Sequence, residues 1–166
     1  MMGLPLSNQQ VVVRLVTAAD SDQLSDLLSD HETVVQSGLR LPDPVNKSAW
    51  NWAMTTLTNS KELLVIEERR QGKIAGLISL VKRGNAYELG YLLGPSFRGR
   101  GLMTIAIKLI LGNFQRQGAL TTVIAATDSH NYASINVLRR TGFKKQTDGN
   151  DDRRIEWTWS SYCQKK

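Results

Sequence analysis

A run of glycine and arginine between a strand and a helix constrains this sequence more than any other feature. Residues 89–93 are apolar and predict a strand, which the segment GPSFRGRGLMT (residues 94–104) follows. Apolar side chains then recur every three or four positions, which predicts a helix with one apolar face. That face consists of Leu102, Ile105, Ala106, Leu109, Ile110 and Phe114. The first turn of such a helix offers backbone N–H groups at the positive end of its dipole, and glycines let a ligand approach closely. The segment therefore predicts an anion site, most often one for phosphate.

Two common phosphate-binding loops do not fit this segment. The nucleoside-triphosphate loop, G-x-x-x-x-G-K-[ST], is absent. The dinucleotide loop requires G-x-G-x-x-G in a βαβ unit, whereas Gly99 and Gly101 are followed here by Thr104. A surface turn before an amphipathic helix is the alternative that needs no ligand.

Composition places the chain among soluble globular proteins. Its 166 residues, 41% hydrophobic and 22% charged, suffice for one domain with a full core, and we expect a single domain over residues 1–166. No run of ~18 apolar residues predicts a membrane span, and MMGLPLSNQQ lacks the build of a signal peptide. Cys163 is the only cysteine, which leaves no intrachain disulfide and agrees with a cytoplasmic location.

Positive charge is concentrated in the second part of the chain. The net charge is +6. From Arg98 onward the sequence has twelve Lys or Arg residues and five Asp or Glu residues, whereas the part before Arg98 has nine Lys or Arg and ten Asp or Glu. This distribution agrees with binding of a polyphosphate and also with docking on nucleic acid or a ribosome. We expect no membrane partner and no specific nucleic acid.

The remaining periodicity predicts strands and helices in the order β-α-α-β-β-β-α-β-α-β-β. Helices are expected from about residue 21, near 47–57, after the glycine loop, and over 131–140. A loop at 37–46 and a turn at 148–152 separate elements. Three successive strands joined by short turns predict an antiparallel meander. The predicted strands are residues 11–16, 61–68, 74–82, 87–93, 121–126, 143–147 and 154–160.

Two motifs resemble those of the GNAT superfamily of acetyl-CoA-dependent N-acetyltransferases. Read as R-x-x-G-x-[GA], residues 98–103 resemble its pyrophosphate loop, with Met103 at the last position, as in the branch resembling ribosomal-protein N-terminal (RimJ/RimL-like) acetyltransferases. Residues 131–143, NYASINVLRRTGF, resemble its N-x-x-[AS]-…-G-F helix. With the order of elements, the resemblance implies an α/β GNAT (acyl-CoA N-acyltransferase) fold, a mixed, mostly antiparallel central sheet flanked by helices.

The resemblance also implies how acetyl-CoA (coenzyme A) binds. The strand before the loop diverges from its neighbour, so that its last residues offer backbone groups to the pantetheine arm and acetyl carbonyl. The loop holds the pyrophosphate, with charge-assisted contacts from its two arginines. Asn131 contacts the cofactor from the second helix, although its residue type equally predicts a helix N-cap. The implied cofactor residues are Leu92, Leu93, Arg98, Gly99, Arg100, Gly101, Leu102, Met103, Asn131 and Ser134.

Three side chains are candidates for catalytic roles, and no metal site is expected. Ser134 shares a helix face with Asn131 and is the candidate to protonate the leaving thiolate. Many superfamily members place a Tyr one turn later, but that position is Leu138 here, so Tyr132 is a substitute candidate. Glu88 is the candidate base for the incoming ammonium, and a surface ion pair is its alternative.

The sequence leaves the acceptor open. A protein N-terminus, a polyamine, an aminoglycoside-like antibiotic and a small amino compound all fit, and the basic surface slightly disfavours polycations. A homodimer is compatible with the resemblance. The competing hypothesis is a non-catalytic acyl-CoA-binding or ribosome-associated module.

Overall fold

An eight-stranded sheet with helices on both faces forms the protein. The computed structural model describes residues 3–37, 47–59, 62–118, 120–146 and 153–161. The strands are β1 (Leu6–Ser7), β2 (Val11–Leu15), β3 (Leu63–Glu68), β4 (Lys73–Arg83), β5 (Ala86–Leu93), β6 (Thr122–Asp128), β7 (Lys144–Lys145) and β8 (Arg154–Ser160). The helices are α1 (Ser21–Leu28), α2 (His31–Ser37), α3 (Lys47–Asn59), α4 (Leu102–Arg116) and α5 (Tyr132–Arg140). None of the helices in these ranges combines the length and apolar character needed to cross a membrane.

The strand order is β1-β2-β3-β4-β5-β6-β8-β7. Neighbours pair antiparallel except β5 and β6, which are parallel because the glycine loop and α4 connect them. The predicted meander of β3, β4 and β5 and the mixed, mostly antiparallel sheet are therefore confirmed.

Two cores lie on opposite faces of the sheet, as the alternation of β5 requires. Leu89 packs in the core that includes residues of α4 and α5, whereas Leu92 packs in the core that includes residues of α1 and α3. Trp157 and Trp159 are buried in the first of these cores, and the Trp157 indole N–H donates to Thr127 Oγ1 at 3.1 Å. The sheet is thus fixed by apolar burial on both sides.

The helix motif at residues 131–143 ends as its glycine predicts. Gly142 has a φ of +88°, in the left-handed region, and its N–H donates to the carbonyl of Arg139 at 3.1 Å. The N–H of Phe143 donates to the carbonyl of Leu138 at 3.0 Å. This pair of hydrogen bonds is the Schellman arrangement that terminates a helix at a left-handed residue.

Two described elements were not predicted. β1 has only two residues, and α2 contains the β-branched run Thr33-Val34-Val35, which lowers helix propensity and hides the pattern. β7 is shorter than the predicted strand at 143–147. The residues of the predicted loop after Ser37 up to 46, the turn at 148–152 and Cys163 lie outside the described residues.

Candidate active site

A cavity of about 700 Å³ opens where β5 and β6 diverge. The parallel register between the two strands ends at Leu89 and Ala125, so residues 90–93 and 126–128 continue without facing each other in the ladder. Leu92 and Leu93 both line the cavity. The divergence implied by the family resemblance is therefore present in the described residues, and it makes room for a ligand inside the sheet.

One part of the cavity lining, which we call the loop wall, consists of residues of the glycine loop and the start of α4, together with Asn131 and residues of α5. Gly99 and Gly101 have φ values of +73° and +72°, a region that residues with a Cβ rarely adopt. Gly101 is the N-cap of α4 and has no side chain to accept from the first-turn N–H groups. Both glycines, Leu102 and Met103 line the cavity. The positive end of the α4 dipole is therefore at the cavity surface.

The two loop arginines have different positions. Arg98 lines the cavity, donates through Nη2 to Thr33 Oγ1, and donates through Nε to the Leu93 carbonyl at 3.3 Å. The Arg100 side chain turns away, and its Nη2 donates to Glu68 Oε1 at 2.9 Å. Of the two loop arginines, only Arg98 is therefore placed to bring positive charge to the cavity, contrary to the expectation for Arg100.

Asn131 has the capping role that its residue type predicts. Its Oδ1 accepts from the backbone N–H of Ser134 at 3.0 Å, and Asn131 also lines the cavity. The carbonyl side of the amide is occupied in the cap, while the NH₂ group is a donor that the cap does not use. A cofactor contact by Asn131 stays a prediction.

A pair of hydroxyl groups lies between β5 and α5. Tyr91 Oη and Ser134 Oγ form a hydrogen bond of 2.6 Å in which either hydroxyl can donate, and the Tyr91 hydroxyl can also donate to the Ser134 carbonyl oxygen at 3.2 Å. Burial raises the pKa of Tyr91 to about 12, although the hydrogen bond between Tyr91 and Ser134 acts in the opposite direction. The phenol therefore keeps its proton at neutral pH and can donate it in a hydrogen bond to Ser134 Oγ.

Sequence reasoning missed Tyr91. The alternation of β5 put Tyr91 on the same face as Leu89, but nothing in the local pattern relates it to Ser134, 43 positions away.

Two predicted catalytic residues do not reach the cavity. Glu88 lies on β5, half exposed, and accepts from Arg83 Nε at 3.3 Å in a surface ion pair. Tyr132 is 68% exposed at the start of α5, and it does not line the cavity although its neighbours Asn131 and Ala133 do. The proposed roles of Glu88 as base and of Tyr132 as acid therefore lack the required placement.

Another part of the cavity lining, the α2 wall, consists of Thr33, Val35, Gln36 and Ser37. Thr33 is buried, and its hydroxyl donates to Asp30 while accepting from Arg98. These hydrogen bonds connect the α2 wall to the loop wall, although Thr33 and Arg98 are 65 positions apart in the sequence.

Asp128, Arg153 and Arg154 lie around the cavity at the ends of β6 and β8. Within the described residues, Asp128 provides the only carboxylate of the lining. The backbone N–H of His130, which donates to Asp128 at 2.7 Å, lowers the pKa of this carboxyl, and Arg153 adds to the effect. Elsewhere in the described ranges, no three His, Cys, Asp or Glu side chains are grouped so that they could hold a metal ion.

Comparison with known proteins agrees with this geometry. The protein-family model described as "Acetyltransferase (GNAT) domain" matches residues 10–144, most of the chain. This chain belongs to the GNAT acetyltransferase family. Both the loop and the whole motif at residues 131–143 lie within the matched residues, so the resemblance in the sequence is confirmed.

Similar proteins include acetyltransferases of ribosomal proteins. The chain is 26% identical over 168 residues to the ribosomal protein uS5-alanine N-acetyltransferase of Escherichia coli (strain K12), covering 95% of this chain and 87% of that protein. A ribosomal-protein-S5-alanine acetyltransferase from Vibrio fischeri has the same fold, with a TM-score of 0.75, 19% identity and coverage of 94% and 96%. RimL, a ribosomal L7/L12 alpha-N-protein acetyltransferase in complex with coenzyme A, superposes with a TM-score of 0.74, 19% identity and coverage of 93% and 96%. The GNAT acetyltransferase therefore has relatives of the ribosomal-protein branch that the sequence motifs indicated.

Proposed function

We propose that this GNAT acetyltransferase uses acetyl-CoA and transfers the acetyl group directly to a primary amine. The observation that carries the proposal is that the glycine loop, the diverging end of β5 and the Tyr91–Ser134 pair line one cavity. Each supplies one requirement of the reaction, namely cofactor binding, orientation of the reacting groups and stabilisation of the leaving group.

The residues of the loop wall fit a polyphosphate. An added Cβ at Gly99 or Gly101 would meet no atom within 4 Å, so the loop is open on the outside. Backbone N–H groups of the loop and of the first turn of α4 would hold the pyrophosphate, and Arg98 would add a charge-assisted contact. Leu92 and Leu93 would contact the pantetheine arm, and Asn131 would donate from its free NH₂ group. Acetyl-CoA, when bound, supplies an activated thioester.

The Tyr91–Ser134 pair would stabilise the departing sulfur. A neutral Tyr91 that donates to Ser134 Oγ leaves the serine proton free to point into the cavity. Ser134 can then donate to negative charge that develops on the thiolate. Tyr91 acts through Ser134 and is a positioning residue in this scheme, whereas Ser134 touches the reacting atoms.

Asp128 replaces Glu88 as the group that attracts the amine. Amines are mostly protonated at neutral pH, and one proton must leave before nitrogen attacks. Asp128 is a carboxylate at neutral pH, as an ordinary Asp also is, and its lowered pKa keeps it charged, so that it can attract the ammonium and pass its proton to water.

A protein N-terminus is the acceptor that we favour. The relatives named above act on the N-termini of ribosomal proteins or on ribosomal-protein alanine. An α-amine also loses its proton more readily than a lysine side chain, since its pKa is about 8 rather than about 10.

Release of free thiol from acetyl-CoA, in the presence of defined amines, tests the proposal. The amines are a peptide with a free N-terminal alanine, the same peptide N-acetylated with one internal lysine, and spermidine. We expect turnover with the first peptide alone. Coenzyme A binding without turnover for any amine would favour the non-catalytic module, and absence of coenzyme A binding would exclude both.

A further inference from the structure

Arg100, the loop arginine that turns away from the cavity, pairs with a buried carboxylate. Glu68, the last residue of β3, has a side chain that is only 4% exposed. Its Oε1 accepts from Arg100 Nη2 at 2.9 Å, and its Oε2 accepts from the backbone N–H of Gln71 at 3.1 Å. The Arg100 guanidinium also lies over the Phe97 ring, 5.9 Å from the ring centroid. The buried carboxylate is thus satisfied at both oxygens, and Arg100 is its only cation among these contacts.

The position of Glu68 is fixed by the sheet. It pairs in register with Val11 of β2 and Lys73 of β4, so it belongs to an inner strand held on both sides. A buried charge keeps its counter-ion close because separation would leave it unpaired in a low dielectric. The pair therefore fastens the tip of the cofactor loop to a rigid strand 32 positions earlier in the chain.

Arg100 stands between Gly99 and Gly101, the two left-handed positions of the loop. Glycines have the widest choice of backbone conformations, and the loop would lose freedom on binding a ligand if nothing else restrained it. Because the Arg100 side chain is anchored between them, the peptide planes on either side of Arg100 have less freedom to rotate. Binding to a loop that is already ordered avoids that loss of entropy.

We propose that Glu68 is a positioning residue for the cofactor: through Arg100 it holds the backbone N–H groups of the loop in the arrangement that receives the pyrophosphate. Arg100 itself is then an anchor and does not contact the phosphates. The inference rests on the proposed function, because it assumes that coenzyme A binds to this loop.

A double-substitution cycle with Glu68→Gln and Arg100→Met tests the proposal. The dissociation constant of coenzyme A is measured by calorimetry for the wild type, both single variants and the double variant. Each single variant is expected to weaken coenzyme A binding about tenfold. The double variant is expected to weaken it no more than the single variant with the larger effect, because both substitutions remove the same anchor. Pantetheine, which lacks the pyrophosphate, is expected to bind all four proteins equally in competition experiments.

Glu67→Gln is the matched control. Glu67 is the neighbouring residue of β3, and its Oε2 accepts from Arg14 Nε at 3.0 Å, away from the loop. Hydrogen exchange of residues 94–104 without any ligand gives a second measurement, which needs only folded protein. Faster exchange is expected in the Glu68 and Arg100 variants and unchanged exchange in the control, and the double variant, which leaves no unpaired buried charge, serves if a single variant does not fold.

Three results would overturn the proposal. Weaker coenzyme A binding for Arg100→Met together with unchanged binding for Glu68→Gln would make Arg100 a direct ligand. Additive effects in the double variant would separate the two residues. Unchanged binding and unchanged exchange in all variants would leave a pair that matters only for stability. If the wild type itself does not bind coenzyme A, the proposed function fails instead, and the exchange measurement still decides whether the pair orders the loop.

Discussion

The loop wall and the α2 wall of the cavity are built in different ways. In the loop wall, the left-handed glycines, the start of α4 and the Asn131 cap depend on contacts within a few residues, and the Arg100–Glu68 pair adds one contact across 32 positions. In the α2 wall, the position of Thr33 depends on Arg98, which is 65 positions away. The local contacts, which dominate in the loop wall, leave a motif in the sequence, whereas contacts between distant residues do not.

The comparison also separates two kinds of effect. Changes in the loop wall are expected to alter coenzyme A affinity or the rate of acetyl transfer. Changes in the α2 wall are expected to alter the Michaelis constant of the acceptor. The following predictions are ordered by the size of the expected effect.

Ser134→Ala is expected to lower kcat about a hundredfold, the lower range for loss of a proton donor. The dissociation constant of coenzyme A should change less than about threefold, because Asn131 caps α5 through the Ser134 backbone N–H, which the substitution retains. Steady-state kinetics with calorimetry measure both. Ser129→Ala, outside the cavity, is the control, and an unaltered kcat for Ser134→Ala would remove this hydroxyl from the mechanism.

Gly101→Ala is expected to weaken coenzyme A binding about thirtyfold, since losing charge-assisted hydrogen bonds costs ~2 kcal/mol. Gly84→Ala is the matched control: its φ is +57°, an added Cβ meets no atom within 4 Å, and it lies in a turn away from the cavity. Both variants should lose a similar ~1–2 kcal/mol of stability to backbone strain. Equal coenzyme A affinities of the two variants would show that the loop wall does not bind the cofactor.

Tyr91→Phe is expected to lower kcat about tenfold, because Ser134 loses the hydrogen bond that orients its proton. A pH titration of stability gives a second measurement. The pKa of Tyr91 is raised from 10.0 to about 12, so the folded state holds the phenol proton more tightly. This contribution to stability is complete below pH 10 and is lost as the pH rises to about 12. Wild type should therefore lose stability faster than Tyr91→Phe in that range, and parallel curves would contradict the assignment.

Asp128→Asn is expected to lower kcat/KM for an alanine peptide about fivefold when the pH is below the pKa of the amine, which is about 8. The decrease should be smaller when the pH is above that pKa. Asparagine still accepts the backbone hydrogen bond from His130, so the turn is retained. Glu88→Gln is the control and should leave the pH–rate profile unchanged, because Glu88 pairs with Arg83 at the surface. The opposite outcome for the two variants would restore Glu88 as the base.

Gln36→Ala is expected to raise the acceptor KM about threefold while coenzyme A affinity stays the same, as for loss of one ordinary hydrogen bond. It is the smallest effect and the most direct test of the division between the walls. A change in coenzyme A affinity without a change in acceptor KM would assign the α2 wall to the cofactor.

Much of the fold and part of the site could be predicted. The apolar periodicity of α4, the alternation of β5 and the Gly142 turn are local properties, and they place the cavity-lining residues of the loop and of α5. Side-chain direction was harder to predict. Glu88 pairs with Arg83, and Arg100 pairs with Glu68, because each finds a partner on another part of the sheet. A surface ion pair for Glu88 was an alternative in the sequence, with Arg83 five positions away, whereas no spacing relates Arg100 to Glu68, 32 positions away.

By itself, the sequence determined the anion-binding loop, the helix that follows it and the family, because glycine conformations and helix periodicity depend on neighbouring residues. Only the tertiary structure decided which hydroxyl meets Ser134, which arginine faces the cavity and which carboxylate lines it. The physical reason is that hydrogen bonds and ion pairs form between groups that packing brings together, whatever their separation along the chain.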